Sequence, residues 1–216
     1  MRHITLKNNK VYNFDSMKVM GILNATDNSF FPDSRVGSVD NAVNIALKMI
    51  KDGADILDVG GESTRPGSDP VSVEDEIARV VPIIKEIRER NKDILISVDT
   101  YRAKTAEAAI EAGADIINDI SAMTFDEHMV EVAINYNVPV ILMHIKGTPK
   151  NMQKNPQYDD VVKEVKEFFI DRIDYATKKG LDRDKLILDP GIGFGKNFEH
   201  NMELIRKIDS FYDLNL

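Results

Sequence analysis

The chain has 216 residues, 43% hydrophobic and 30% charged, enough for one domain with a large core and too few for two well-formed ones. Its net charge of −8 argues against a nucleic-acid partner, which needs clustered Lys and Arg, although single cations such as Arg65, Lys146 and Lys196 could hold a small anion. The absence of cysteine excludes a disulfide scaffold and a zinc-thiolate site and fits a reducing cytoplasm. The N-terminus starts no apolar run of signal-peptide length, and no stretch approaches the ~18 apolar residues of a membrane span, so the expectation is a soluble cytoplasmic protein.

Taken in chain order, residues 4–14 alternate apolar and polar around Lys7, Asn8, Asn9 and Lys10, which predicts an N-terminal hairpin. A strand over 19–23 follows, then a polar loop over 24–38 and a helix over 39–51 with Gly53 as its C-cap. The next unit predicts a strand at 55–58, a loop at 59–71 and a long helix opening at Ser72, with Asp75 three residues on in a capping arrangement. The alternation continues with a strand at 94–98 and helix at 103–112, and a strand at 115–117 and helix at 126–136. It ends with a strand at 139–143 and helix at 158–179, and a strand at 185–188 and helix at 199–208. Repeated βα units of this length predict a parallel α/β fold.

Asp58, Asp99, Asn118 and Asp189 each stand where a short apolar run stops. Strands buried on both faces read as nearly continuous Val/Ile/Leu, so acids at their ends point to a ligand rather than to packing. Polar candidates come from at least five strand ends, which favours a TIM (β/α)8 barrel over an open sheet with one switch point; six units are countable. The loop over 58–67, with Gly60, Gly61, Thr64, Arg65 and Pro66, offers paired glycines for close ligand approach and donors for an anion. The stretch over 189–196 fails both the P-loop and the dinucleotide spacing. The histidines show no metal-ligand spacing, and His144 reads as a locally satisfied residue. No covalent nucleophile is indicated.

These motifs, in this order, resemble the dihydropteroate synthase family. The resemblance runs from about Met20 to the C-terminus, through Asn24, Ser29-Phe30, the 58–67 loop and Ser97-Val98-Asp99-Thr100. It continues through Asn118-Asp119-Ile120, Leu142-Met143-His144, Gly147-Thr148-Pro149 and the 189–196 loop. It implies one pterin-binding barrel domain over residues 1–216, C-terminally incomplete because the family's seventh and eighth βα units, with their cationic residues, would follow Leu216. It implies condensation of a dihydropterin diphosphate with p-aminobenzoate in folate biosynthesis, releasing pyrophosphate. Ionised carboxylates accept without donating and suit the N–H edge of a pterin.

By resemblance, Asp99, Asn118 and Asp189 hold the pterin, with Arg65 as a fourth catalytic group. Ile120, Met143, Gly193 and Phe194 complete the substrate contacts with Asn24, Thr64 and Pro66. Asn24 also ligates Mg2+. The first loop departs from the family pattern at Thr26-Asp27-Asn28-Ser29-Phe30, where a proline is lost and the second acid falls at Asp33. A homodimer is implied for the full-length family form. The alternatives are a methyltetrahydrofolate-binding methyltransferase sharing the same acids, and a non-catalytic pterin-binding fragment.

Overall fold

Short β-branched runs separated by helices of about two to five turns leave the backbone one economical arrangement: parallel strands inside, helices outside. The computed structural model describes residues 2–25, 35–63 and 67–216 and shows this arrangement. The predicted hairpin is β1 (Arg2–Thr5) against β2 (Val11–Phe14), antiparallel, closed by a 3₁₀ turn at Lys7–Asn9. Then come β3 (Met20–Asn24), α1 (Arg35–Lys51), β4 (Ile56–Gly60), α2 (Val73–Arg90), β5 (Leu95–Asp99), α3 (Ala103–Ala112) and β6 (Ile116–Asp119). They are followed by α4 (Met129–Tyr136), β7 (Val140–Met143), α5 (Val161–Lys179), β8 (Leu186–Asp189) and α6 (Phe198–Arg206). The sheet is six parallel strands in sequence order, β3 to β8.

Local chemistry fixes the helix ends. Ser72 caps α2 by accepting from the Asp75 amide at 3.0 Å, as its spacing predicts. Asp160 caps α5 in the same way through the Lys163 amide, so that helix begins three residues later than predicted. The helix predicted from 126 begins at Met129, because the Asp126 carboxylate is used elsewhere: one oxygen accepts from the Ala103 amide at the start of α3 and the other from His128.

Alternation sorts each strand into two faces. Leu57, Val59, Ile96, Val98, Ile117 and Leu142 face the helices and are fully buried against them. The opposite, inward face has a layered composition. At its base Met20, Ile56, Leu95, Ile116, Ile141 and Ile187 close around Ile4 and Leu6 of the N-terminal segment, which plug the bottom. Lys185, 2% exposed, ties that plug down by donating to the carbonyls of Thr5 and Asn137. Above this layer polar residues enter the inward face on β4, β5, β6 and β8.

Candidate active site

The parallel register brings the inward polar residues together. Asp58 pairs with Ser97, one level above the apolar plug. The next level runs Asn24, Gly60, Asp99, Asn118 across four neighbouring strands. Asp189 lies beside Met143 at the top of the last two strands. Asp58 is therefore not at a strand tip, as the sequence suggests, but two residues inside β4, because Val59 and Gly60 continue the ladder. Gly60 explains how Asp99 fits: a Cβ there would stand 3.2 Å from its Oδ2.

Asp58 is 4% exposed, and both its oxygens are held, Oδ1 by the Ser97 hydroxyl at 2.5 Å and Oδ2 by the Asn118 amide at 3.1 Å. Burial pushes its carboxyl up to about 6, opposed by those two bonds and reinforced by the charge of Asp189. Burial also raises Asp99 well above the usual carboxylate range, with the Asp58 charge adding to it. Asp189 is raised by burial as well, while a 2.8 Å bond from the Gly191 amide and the charge of Lys196 pull it back. Three acids and an amide thus share the inward face of the sheet, each acid poorer at holding its charge than in water.

An apolar wall adjoins them. Ile120, Met143, Ile145 and Met152 form one buried cluster, with Tyr101 and Phe194 packed on it. Phe194 is carried on the loop after β8, and that loop is pinned by Lys196. Its ammonium, 2% exposed, donates to the carbonyls of His144, Gly191 and Phe194 at 2.9 to 3.2 Å. Desolvation pulls it down to about 7. Gly191, at φ +66°, sits so close to the β7 loop that a Cβ would meet the His144 carbonyl. Gly193 turns the loop, its amide donating to Asn201 and its carbonyl accepting from Gln153.

Several sequence expectations change. Lys196 is a clamp on carbonyls rather than an anion holder, and Lys146 is engaged by Glu164 at 3.1 Å and by the Gln157 carbonyl. Gly61 does not open a ligand path: a Cβ there would lie 2.9 Å from Val80, so it serves the packing of α2. His144 is buried edge-on to Phe168, and burial drives its imidazole down to about 3, but its Nδ1 is buried with no hydrogen-bond partner among the described residues, so it is not the locally satisfied residue its sequence context suggests. Thr64, Arg65, Pro66, Thr26 to Phe30 and Asp33 lie outside the described residues. Asn24 ends β3 with its side chain exposed, in register with Gly60.

A network invisible in the sequence supports the loop after β4. Arg102 bridges Glu62 at 2.7 Å and Glu76 at 2.9 Å, Thr105 donates to Glu76, and Tyr101 and the Val71 amide donate to Glu62. A cavity of about 310 Å3 opens above Glu62 between Pro70, Tyr101, Phe125 and Pro149, sharing the Tyr101 ring with the apolar wall of the site.

The family profile described as pterin binding enzyme matches residues 20–215. The chain is 46% identical to dihydropteroate synthase of Escherichia coli (strain K12) over 198 residues, covering 92% of this chain and 70% of that one. This chain belongs to the dihydropteroate synthase family of pterin-binding enzymes. It is also 45% identical to the dihydropteroate synthase of Synechocystis sp. over 190 residues, 88% of this chain. It spans 65 to 70% of the length of these curated relatives. A crystal structure of Xanthomonas albilineans dihydropteroate synthase with 4-aminobenzoic acid superposes with a TM-score of 0.89 at 37% identity, covering 99% of this chain and 76% of the other. The barrel fold anticipated from the βα repeats is therefore the dihydropteroate synthase barrel, present here as six strands and a hairpin. With the family assigned, the methyltransferase alternative is set aside.

Proposed function

We propose that this chain, as one pterin-binding barrel domain, carries out the family reaction. It condenses 6-hydroxymethyl-7,8-dihydropterin diphosphate with p-aminobenzoate to give 7,8-dihydropteroate and pyrophosphate. The observation that carries this reading is the convergence of Asp99, Asn118 and Asp189 around Asp58 on one inward face, beside the Ile120, Met143 and Phe194 wall.

The acceptors take the N–H edge of the heterocycle while the apolar wall covers a ring face. As the bond from the pterin methylene carbon to the diphosphate oxygen breaks, the electron pair leaves with the diphosphate and positive charge develops on the pterin. The buried carboxylates stabilise that charge from fixed positions in a site of low dielectric. The amine of p-aminobenzoate then donates its lone pair to the methylene carbon and loses a proton. Arg65, with Thr64 and Pro66, is assigned to the p-aminobenzoate side, and Gly193 shapes the Phe194 loop.

Among the described residues no group of three acids or histidines could hold a metal alone. The exposed amide of Asn24 at the end of β3 fits Mg2+ as a single oxygen ligand, the remaining positions going to diphosphate and water. When bound, the ion neutralises diphosphate charge. We assign the protein to the cytoplasm, in keeping with 216 residues without cysteine and with no described helix long and apolar enough to cross a membrane. The homodimer is proposed for the full-length family form. Size-exclusion with light scattering reads that assembly directly.

Incubation with the pterin diphosphate, p-aminobenzoate and Mg2+ should release pyrophosphate only when p-aminobenzoate is present. Folded protein that binds the pterin and releases none contradicts the catalytic reading and leaves a binding fragment.

A further inference from the structure

Asp58 is the acid in this cluster whose oxygens are both turned into the wall. Ser97 on β5 takes one, and Asn118 on β6 donates its Nδ2 to the other. A side-chain amide has a donor end and an acceptor end, and fixing one fixes the other. With Nδ2 committed to Asp58, the Oδ1 of Asn118 is the end left for the cavity, on the same level as Asp99 and below Asp189.

We propose that Asp58 is a positioning residue that locks the Asn118 amide with its oxygen toward the pterin, so that the pocket presents acceptors alone to a donor-rich edge. This rests on the pterin reading of the site. It also makes Asp58 a determinant of specificity, because a flipped Asn118 would set N–H against N–H and favour heterocycles with acceptors at that position. Asparagine in place of Asp58 keeps its shape but loses the instruction: with its oxygen taken by Ser97, its NH2 faces Asn118 and draws Oδ1 away from the cavity.

The test is calorimetric titration with 6-hydroxymethylpterin at pH 8 of wild type, Asp58→Asn, Asn118→Asp and the double exchange. Each single variant should bind about tenfold more weakly or worse, as expected when a buried hydrogen-bonding group is left mispaired. The exchange restores one carboxylate facing the cavity and one amide behind it, and should recover to within about threefold of wild type through coupling of neighbouring groups. Asp58→Asn binding like wild type, or a double variant losing the product of the two single losses, overturns the proposal. Wild-type protein that ignores the probe overturns the pterin reading itself, and the proposal with it.

Ser97→Ala supplies an independent readout that a structural role for Asp58 would not move. Losing that hydroxyl removes a bond that lowers Asp58, so the acid limb of pterin binding should shift to higher pH. Asp189 on β8 acts on Asp58 through its charge, Asp58 acts in the same way on Asp99 of β5, and both neighbours are common to both profiles. An unmoved limb contradicts the assignment.

Discussion

The lower and upper halves of the barrel interior are lined by the same six strands and the same alternating positions, yet they behave as opposite materials. Below, Ile56, Leu95, Ile116 and Ile141 close on Ile4 and Leu6 from the hairpin, a dry apolar plug. Two residues up the strands, Asp58, Ser97 and Asn118 occupy the equivalent sites, Asp99 follows two residues above Ser97, and Asp189, two above Ile187, adds a third acid. The plug is what makes the acids unusual: with no water from below, their carboxyls rise by desolvation first and by mutual repulsion second. The apolar half supplies stability, and the polar half spends some of it to hold three acids together at the proposed pterin site.

Breaking the polar half's outer support should have the largest effect. Arg102→Met leaves Glu76, 1% exposed, and Glu62 without their cation, and should lower stability by about 3–5 kcal/mol in urea unfolding. A loss within experimental error would mean that the network contributes little to the loop after β4. Opening the apolar half comes next. Ile4→Ala should cost about 2–5 kcal/mol while leaving pterin affinity of the folded protein intact, as measured by thermal unfolding and calorimetry on one sample. An equal loss in both readouts would merge the two halves into one unit.

The smallest effect is also the most diagnostic. Asp58 has its carboxyl raised from 3.8 to about 6, so the folded state holds its proton more tightly than the unfolded chain, and the associated stability is lost as pH rises through about 6. Asp58→Asn removes that loss. The variant should gain up to about 3 kcal/mol on wild type between pH 4 and pH 8, read as a growing difference in Tm. A difference that shrinks with pH would show that Asp58 is held ionised by its partners.

Much of this was legible in the chain because the strands alternate so regularly. The helix predicted at 103–112 matches α3, and Ser72 caps α2 as its spacing requires. What escaped depends on partners distant in sequence. Ser97 reads as part of an apolar run until the register sets it against Asp58. Arg102 carries no signal in the sequence, because Glu62 and Glu76, the acids that surround it in the fold, are 40 and 26 positions away. Lys196, following three alternating glycines, invites an anion; only the folded loop shows three carbonyls already there. Asp126 looks like a helix start and caps the neighbouring helix instead.

The central claim is that the inward acids form a single pocket for a donor-rich heterocycle. Calorimetric titration of 6-hydroxymethylpterin into wild type and Asp189→Ala tests it most directly. Loss of a buried carboxylate acceptor should weaken binding by about 2–3 kcal/mol, roughly thirtyfold to 150-fold. Equal affinities would contradict it, placing the pterin, if it binds at all, somewhere other than among Asp99, Asn118 and Asp189.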